Sequence, residues 1–191
     1  MREVIGLDKQ RPLGPGWLAI PFLIFAVVSL GIGELSARTV RQPYGAPYFS
    51  LYLFSDPLHM KIWLTTASAV LACFQLLTSA RMYKVVRFPP QGRFYNIVHR
   101  WSGRTAIALT VPVAYHCIFL LGFGTYDARV YIHSLLGCML YGAFLAKVIF
   151  VEFRRWPGWA IPVAGGTLFT LLIGLWLTTF PYFVSTFGLS L

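Results

Sequence analysis

The chain has 191 residues, 57% of them hydrophobic and 12% charged, with a mean hydropathy of +0.66 and a formal net charge of +10 at pH 7. A soluble domain carries roughly a quarter of its residues as charges, so a chain with half that share cannot clothe a water-facing surface, and lipid must cover it. The positive charge does not point to nucleic acid, because the lysines and arginines gather at the ends of apolar segments, where charge sets membrane topology.

The opening stretch, MREVIGLDKQRPLGPG, is polar and has no small-residue cleavage site before the first apolar run, so no removable signal peptide is expected. A spanning helix needs about 20 mostly apolar residues. Five segments meet that requirement: Trp17 to Ala37, Leu58 to Ala80, His99 to Phe123, Val130 to Phe153 and Trp159 to Val184. They predict an all-α integral membrane protein, a single transmembrane domain over residues 1–191. The connections are short except for the aromatic, proline-containing stretch from Arg38 to Pro57. Asp56 followed by Pro57 predicts a capped start for the second span, and Asp127 a cap for the fourth. Pro112 frees a carbonyl in mid-span and predicts a kink in the third helix just before His116. Cys73, Cys117 and Cys138 each sit inside an apolar run, without metal-type spacing, and read as buried thiols.

Orientation follows from the basic residues. With the N-terminus inside, the inner side holds Arg2, Lys9 and Arg11, then Arg81, Lys84, Arg87, Arg93, Arg100 and Arg104, then Lys147, Arg154 and Arg155, which is 3 + 6 + 3 = 12 of the 16. Arg38, Arg41, Lys61 and Arg129 fall outside. The positive-inside rule thus predicts a multi-pass plasma-membrane protein with a cytoplasmic N-terminus and an external C-terminus.

The chemistry is expected at the four histidines, His59, His99, His116 and His133, all of which fall within the spans or at their ends. Ionisable residues in a membrane are expensive and are functional candidates by default. His59 lies in the first turn of the second span, at the outer face. His116 and His133 lie at nearly equal depth in the outer half, roughly 10 Å in. His99 stands at the inner end of the third span, about 25 Å along the axis from His116. His99 and His133 are each followed four residues on by a glycine, Gly103 and Gly137. Residues four apart share a helix face, so a missing side chain there leaves room for a flat macrocycle, and haem iron takes axial histidines from facing helices. The blander readings are an interfacial His59, a headgroup contact at His99 and hydrogen-bonded imidazoles at His116 and His133. Zinc is not favoured, since no carboxylate or cysteine accompanies them at ligand spacing. Gln75 and Ser79 read as interhelical hydrogen-bond formers, and Glu34 as an interfacial acid or a proton carrier.

These residues resemble the cytochrome b561 family, over about residues 55 to 175. Asp56-Pro57-Leu58-His59-Met60 looks like the start of that family's first core helix, Ile97-Val98-His99-Arg100 like the start of its second, and His133-Ser134-Leu135-Leu136-Gly137 like the element in its third. The resemblance implies a helical bundle holding haem b, with His59 and His133 as ligands of an outer haem. The family's fourth core helix carries a histidine near its inner start. Here that stretch reads Trp159-Ala160-Ile161-Pro162-Val163-Ala164-Gly165-Gly166, so His99 lacks that partner and one haem is expected. His133 is the central ligand of the expected site, with His116 and His59 competing for the opposite side. Arg129 and Lys61 would neutralise propionates, and His99, Arg100 and Arg104 would meet an electron donor or a quinol headgroup. The function expected is membrane electron transfer by a haem b protein, as the cytochrome subunit of a membrane oxidoreductase, in contact with lipid, a redox partner or other subunits, and a quinone. The rivals are a cofactor-free structural subunit and a small transporter or proton channel using Glu34, His116 and His133.

Overall fold

A computed structural model describes residues 15–42, 54–86, 93–153 and 156–188. Five helices in it are long and apolar enough to cross a membrane, and no strand occurs among the described residues. The protein is an all-α multi-pass membrane protein. A 3-10 turn, Pro15–Leu18, leads into α1 (Ala19–Arg38), followed by α2 (Pro57–Met82), α3 (Arg93–Tyr115), α4 (Ala128–Glu152) and α5 (Ala160–Phe187). Arg2, Lys9, Arg11, Arg87, Arg154 and Arg155, and most of the Arg38 to Pro57 connection, lie outside the described residues.

The capping residues act as their chemistry requires. Asp56 accepts from the backbone N–H groups of Leu58 at 2.7 Å and His59 at 3.0 Å, and Pro57 follows in the first turn, where its missing N–H is harmless. Asp127 accepts from the Arg129 N–H at 3.2 Å. The third helix departs from the expected span in two ways. It begins at Arg93, before His99, and from His116 to Leu121 it widens into a π-helical segment. Pro112 lies within this helix, where it cannot donate to the Ala108 carbonyl. The wide turn is then tied to the end of α1, where Gln42 N–H donates to the Leu120 carbonyl at 2.8 Å and Phe123 N–H to the Ser36 carbonyl at 3.0 Å. Between them Gly122 has φ +72°, and a Cβ there would stand 2.9 Å from the Thr39 carbonyl oxygen, so only glycine suits the position.

The helices pack in the order α3, α2, α5, α4, with α1 on the outside of α4, and a side-chain bond between α3 and α4 closes the four into a ring. A polar rung joins each neighbouring pair. Ser68 on α2 donates to the Ala106 carbonyl of α3 at 2.7 Å, Thr110 of α3 bonds Tyr141 of α4 at 2.9 Å, His133 of α4 bonds Thr178 of α5 at 2.9 Å, and the Trp176 indole of α5 donates to Thr66 of α2 at 3.0 Å. With no hydrophobic driving force between helices in lipid, such bonds and close packing hold the bundle. Gln75 makes the interhelical contact expected of it, donating to Ser102 at 2.6 Å and to the His99 carbonyl. An apolar layer of Ala72, Leu140, Ala143, Leu171, Leu172 and Leu175 fills the middle of the ring. Polar groups gather at its two ends. One, the histidine-rich end, joins the starts of α2 and α4 to the ends of α1, α3 and α5. Large apolar side chains such as Leu30, Val70 and Leu77 face outward at 73%, 64% and 66% exposure, which suits lipid and not water.

Candidate functional site

At the histidine-rich end, α5 brings two histidines together from opposite sides. His133 bonds Thr178 through Nδ1 at 2.9 Å. The Thr178 hydroxyl has one proton and donates it to the Leu175 carbonyl at 2.8 Å. It must therefore accept from His133, which makes Nδ1 the protonated nitrogen and leaves the Nε2 lone pair for a ligand. His59, one helix away on α2, packs edge-on against Phe183 of α5 with ring centroids 5.4 Å apart, and its Nδ1 bonds the Asp56 carboxylate. That bond also directs the remaining lone pair to Nε2. A ring nitrogen held this way by a carboxylate or hydroxyl is the usual outer support of a metal-binding imidazole.

Asp56 stands just outside the span. Partial burial pushes its carboxyl up, but the His59 N–H, the His59 imidazole and the Leu58 N–H outweigh this and hold it below its ordinary 3.8. His116 is fully buried at the first position of the π-helical segment, its ring edge-on to Tyr115 at 5.9 Å. Lys61 lies within electrostatic range of both His116 and His133. Arg129 is engaged on α5, donating to the Thr178 carbonyl at 2.9 Å and lying 3.8 Å from the Tyr182 ring centroid. All five residues expected at this site, His59, Lys61, His116, Arg129 and His133, therefore occupy one end of the ring.

Glu34 is not part of this arrangement. It pairs with Arg38 of its own helix at 2.6 Å, both side chains being exposed, so it does not join His116 and His133 in a proton path.

At the far end the expected trio comes apart. His99 faces α2, its Nδ1 bonded to Thr78 at 2.8 Å. Arg100, about 100° further round the helix, is exposed and turns back to the Asn96 carbonyl, while Arg104 is exposed beside the Trp101 ring. Lys147 of α4 lies within electrostatic range of the His99 imidazole. The two expected glycine notches also differ. A Cβ on Gly137 would meet only Leu175, at 3.9 Å, whereas one on Gly103 would stand 3.1 Å from the Gln75 amide. The notch beside His133 is bounded by Leu175 at ordinary contact distance, and the one beside His99 is filled by a polar side chain.

Thr178, Asp56 as a partner of His59, and Lys147 within electrostatic range of His99 are candidate-site residues that the sequence does not single out. The first two depend on tertiary pairing. Lys147 carried a signal, a cation inside an apolar run, that was read only as a topology marker.

Imidazoles engaged at Nδ1 by the Thr178 hydroxyl and the Asp56 carboxylate can offer Nε2 to iron, so the residues present fit an iron porphyrin. No cluster of three or more histidine, cysteine or carboxylate side chains suited to a bare metal ion occurs among the described residues. The fold and site define a five-helix membrane protein with oriented histidines at one end of a four-helix ring. The chain belongs to DUF6529, a family of unknown function whose model matches residues 18–191. No curated protein and no solved structure matches it.

Proposed function

We propose that this protein is a b-type haem electron carrier of the plasma membrane, with its N-terminus in the cytoplasm and its histidine-rich end outside. The observation that carries the reading is the paired support of His59 and His133, each with Nδ1 engaged and Nε2 left as the ligand atom. His133 lies within its span, where an imidazole without such a task is expensive, and His59 stands in the first turn of α2 at the same end of the bundle. His59 is the better partner for His133. They stand on α2 and α4, on either side of α5, and a macrocycle in a bundle core takes ligands from facing helices. His116 belongs to α3, which the Thr110–Tyr141 rung makes a direct neighbour of α4. Its role in this reading is to fill the interior beside Lys61, which with Arg129 supplies positive charge for the propionates.

Haem held here supplies one-electron chemistry. The chain's own part is to fix two imidazoles, keep water out with the apolar middle layer and set the local charge. A single haem near one face does not carry electrons across the membrane, so a redox partner or a further subunit completes the path. The short sequence likeness to cytochrome b561 supports the same reading.

A reduced-minus-oxidised spectrum of the detergent-purified protein, with pyridine haemochrome quantification, is the test. A sharp b-type α band that His133→Ala and His59→Ala abolish and His116→Ala retains is expected. Colourless protein from cells with adequate haem supply would reject the haem in favour of a cofactor-free membrane subunit. Loss of haem in His116→Ala with retention in His59→Ala would reassign the second ligand.

A further inference from the structure

Helix α3 contains no acidic residue, and neither does any other part of the chain between Asp56 and Asp127. Near its start it carries two exposed arginines, Arg100 and Arg104. Residues four apart share a helix face, and like charges at that spacing repel. Nothing described in the chain offsets this. The ion pairs among the described residues are Arg38–Glu34, His59–Asp56 and Arg129–Asp127, all at the histidine-rich end. Arg100 donates to the Asn96 carbonyl of its own helix at 3.4 Å, and Arg104 lies 5.3 Å from the Trp101 ring centroid.

The surface around the pair belongs to the bilayer. Phe94, Ile97 and Trp101 are exposed, and at 100° per residue these three and the two arginines fall within about 120° of the helix. The candidate span of α3 is 28 residues, Phe94–Leu121, whereas about 20 cross the hydrocarbon core. Residues 105–121 hold no Lys, Arg, Asp or Glu, so the surplus falls at the far end. Counting about 20 residues back from Leu121 brings the edge of the core close to Trp101. Tryptophan is enriched at that boundary, and Trp101 is 62% exposed. Helical side chains lean toward the N-terminus of their helix. For α3 that is the far end, so Arg104 leans from just inside the core toward Arg100 and the headgroup level.

We propose that Arg100 and Arg104, beside Trp101, hold the phosphate of an anionic phospholipid on the outer face of α3. A guanidinium pairs with phosphate through two parallel N–H bonds, and a lipid of net negative charge relieves the repulsion between the arginines. A zwitterionic lipid brings its own cation and leaves the pair uncompensated. An acidic soluble protein fits less well, because the arginines are interleaved with exposed Phe94, Ile97 and Trp101 on a helix that lipid covers. The site does not depend on haem.

Native mass spectrometry of the full chain in detergent, titrated with phosphatidylglycerol and with phosphatidylcholine, tests this. Wild type is expected to bind phosphatidylglycerol more tightly. Arg100→Gln and Arg104→Gln should each weaken that binding about fivefold and together about thirtyfold, with phosphatidylcholine binding unchanged. The single variants keep the test open if the double variant does not fold. Arg100→Lys with Arg104→Lys should keep most of the preference, since the charge remains. Lys84→Gln, at an exposed position of the same end, should leave it unaltered. Equal phosphatidylglycerol affinity in the folded glutamine variants would overturn the proposal. So would an equal loss in Lys84→Gln, which would assign the preference to the diffuse charge of that end. Displacement of the lipid by an equal concentration of glycerol phosphate would make the ligand a soluble phosphate instead. Saturable binding of polyglutamate that needs both arginines, without preference between the lipids, would make the patch a docking face for an acidic protein.

Discussion

At the scale of single residues, the candidate site depends on hydroxyl groups as much as on imidazoles. Thr178 fixes which nitrogen of His133 carries the proton, because its own proton is committed to the Leu175 carbonyl. Thr178→Val keeps the shape and removes that acceptor. Loss of such an outer partner weakens metal affinity by about 10–100-fold, so Thr178→Val should retain haem poorly in a haemin titration while Thr178→Ser holds it. Equal affinity in Val and wild type would mean that Thr178 does not orient the ligand. The four histidines were legible in the sequence because each sits where lipid makes a polar group costly. Their threonine partners were not, since His133 and Thr178 are 45 positions apart and meet only when α4 packs on α5. The same holds for His99, whose neighbours in sequence, Arg100 and Arg104, turn outward while Thr78 and Lys147 arrive from other helices.

At the scale of elements, what the chain writes locally could be read locally. The five spans, and the caps at Asp56 and Asp127, follow from hydropathy and short-range hydrogen bonds. The π-helical segment after Tyr115 could not be foreseen, because it involves anchoring by Gln42 and Ser36 of a distant part of the chain. The cap at Asp56 makes a pH prediction. Its carboxyl titrates below 3.8 in the folded state, so the ionised form contributes stability that is complete above the unfolded value and is lost as pH falls through the lower folded one. The thermal midpoint should therefore drop below about pH 4, and Asp56→Asn, which still caps, should flatten that part of the profile. An identical acid limb in Asp56→Asn would assign it to other groups. The α1–α4 contact makes another prediction. A Cβ on Gly142 would stand 2.6 Å from the Phe25 carbonyl oxygen, beside Ser29, whereas Gly31 has nothing within 4 Å. Gly142→Ala should cost about 1–3 kcal/mol by overpacking and lower the thermal midpoint, with Gly31→Ala unaffected. Equal midpoints would show that α1 can move off α4 without loss.

At the scale of the whole molecule, the two ends of the ring differ in chemistry, and which end faces the cytoplasm decides what each can meet. Among the described basic residues, Arg38, Arg41, Lys61 and Arg129 mark the histidine-rich end, and Arg81, Lys84, Arg100, Arg104 and Lys147 the far end. In the sequence Arg2, Lys9, Arg11, Arg87, Arg154 and Arg155 flank the same helix ends, and the positive-inside rule predicts that these ends face the cytoplasm. Cysteine labelling resolves the orientation without reference to haem or quinol. Cys73, Cys117 and Cys138 are the free thiols to be replaced first. Thr125, exposed between α3 and α4 at the histidine-rich end, and Lys84, exposed just after α2 at the far end, then each receive a cysteine. A membrane-impermeant maleimide applied to intact cells should label Thr125→Cys at once and Lys84→Cys only after permeabilisation. The opposite pattern would place the histidine-rich end in the cytoplasm and put the proposed haem next to soluble cytoplasmic donors.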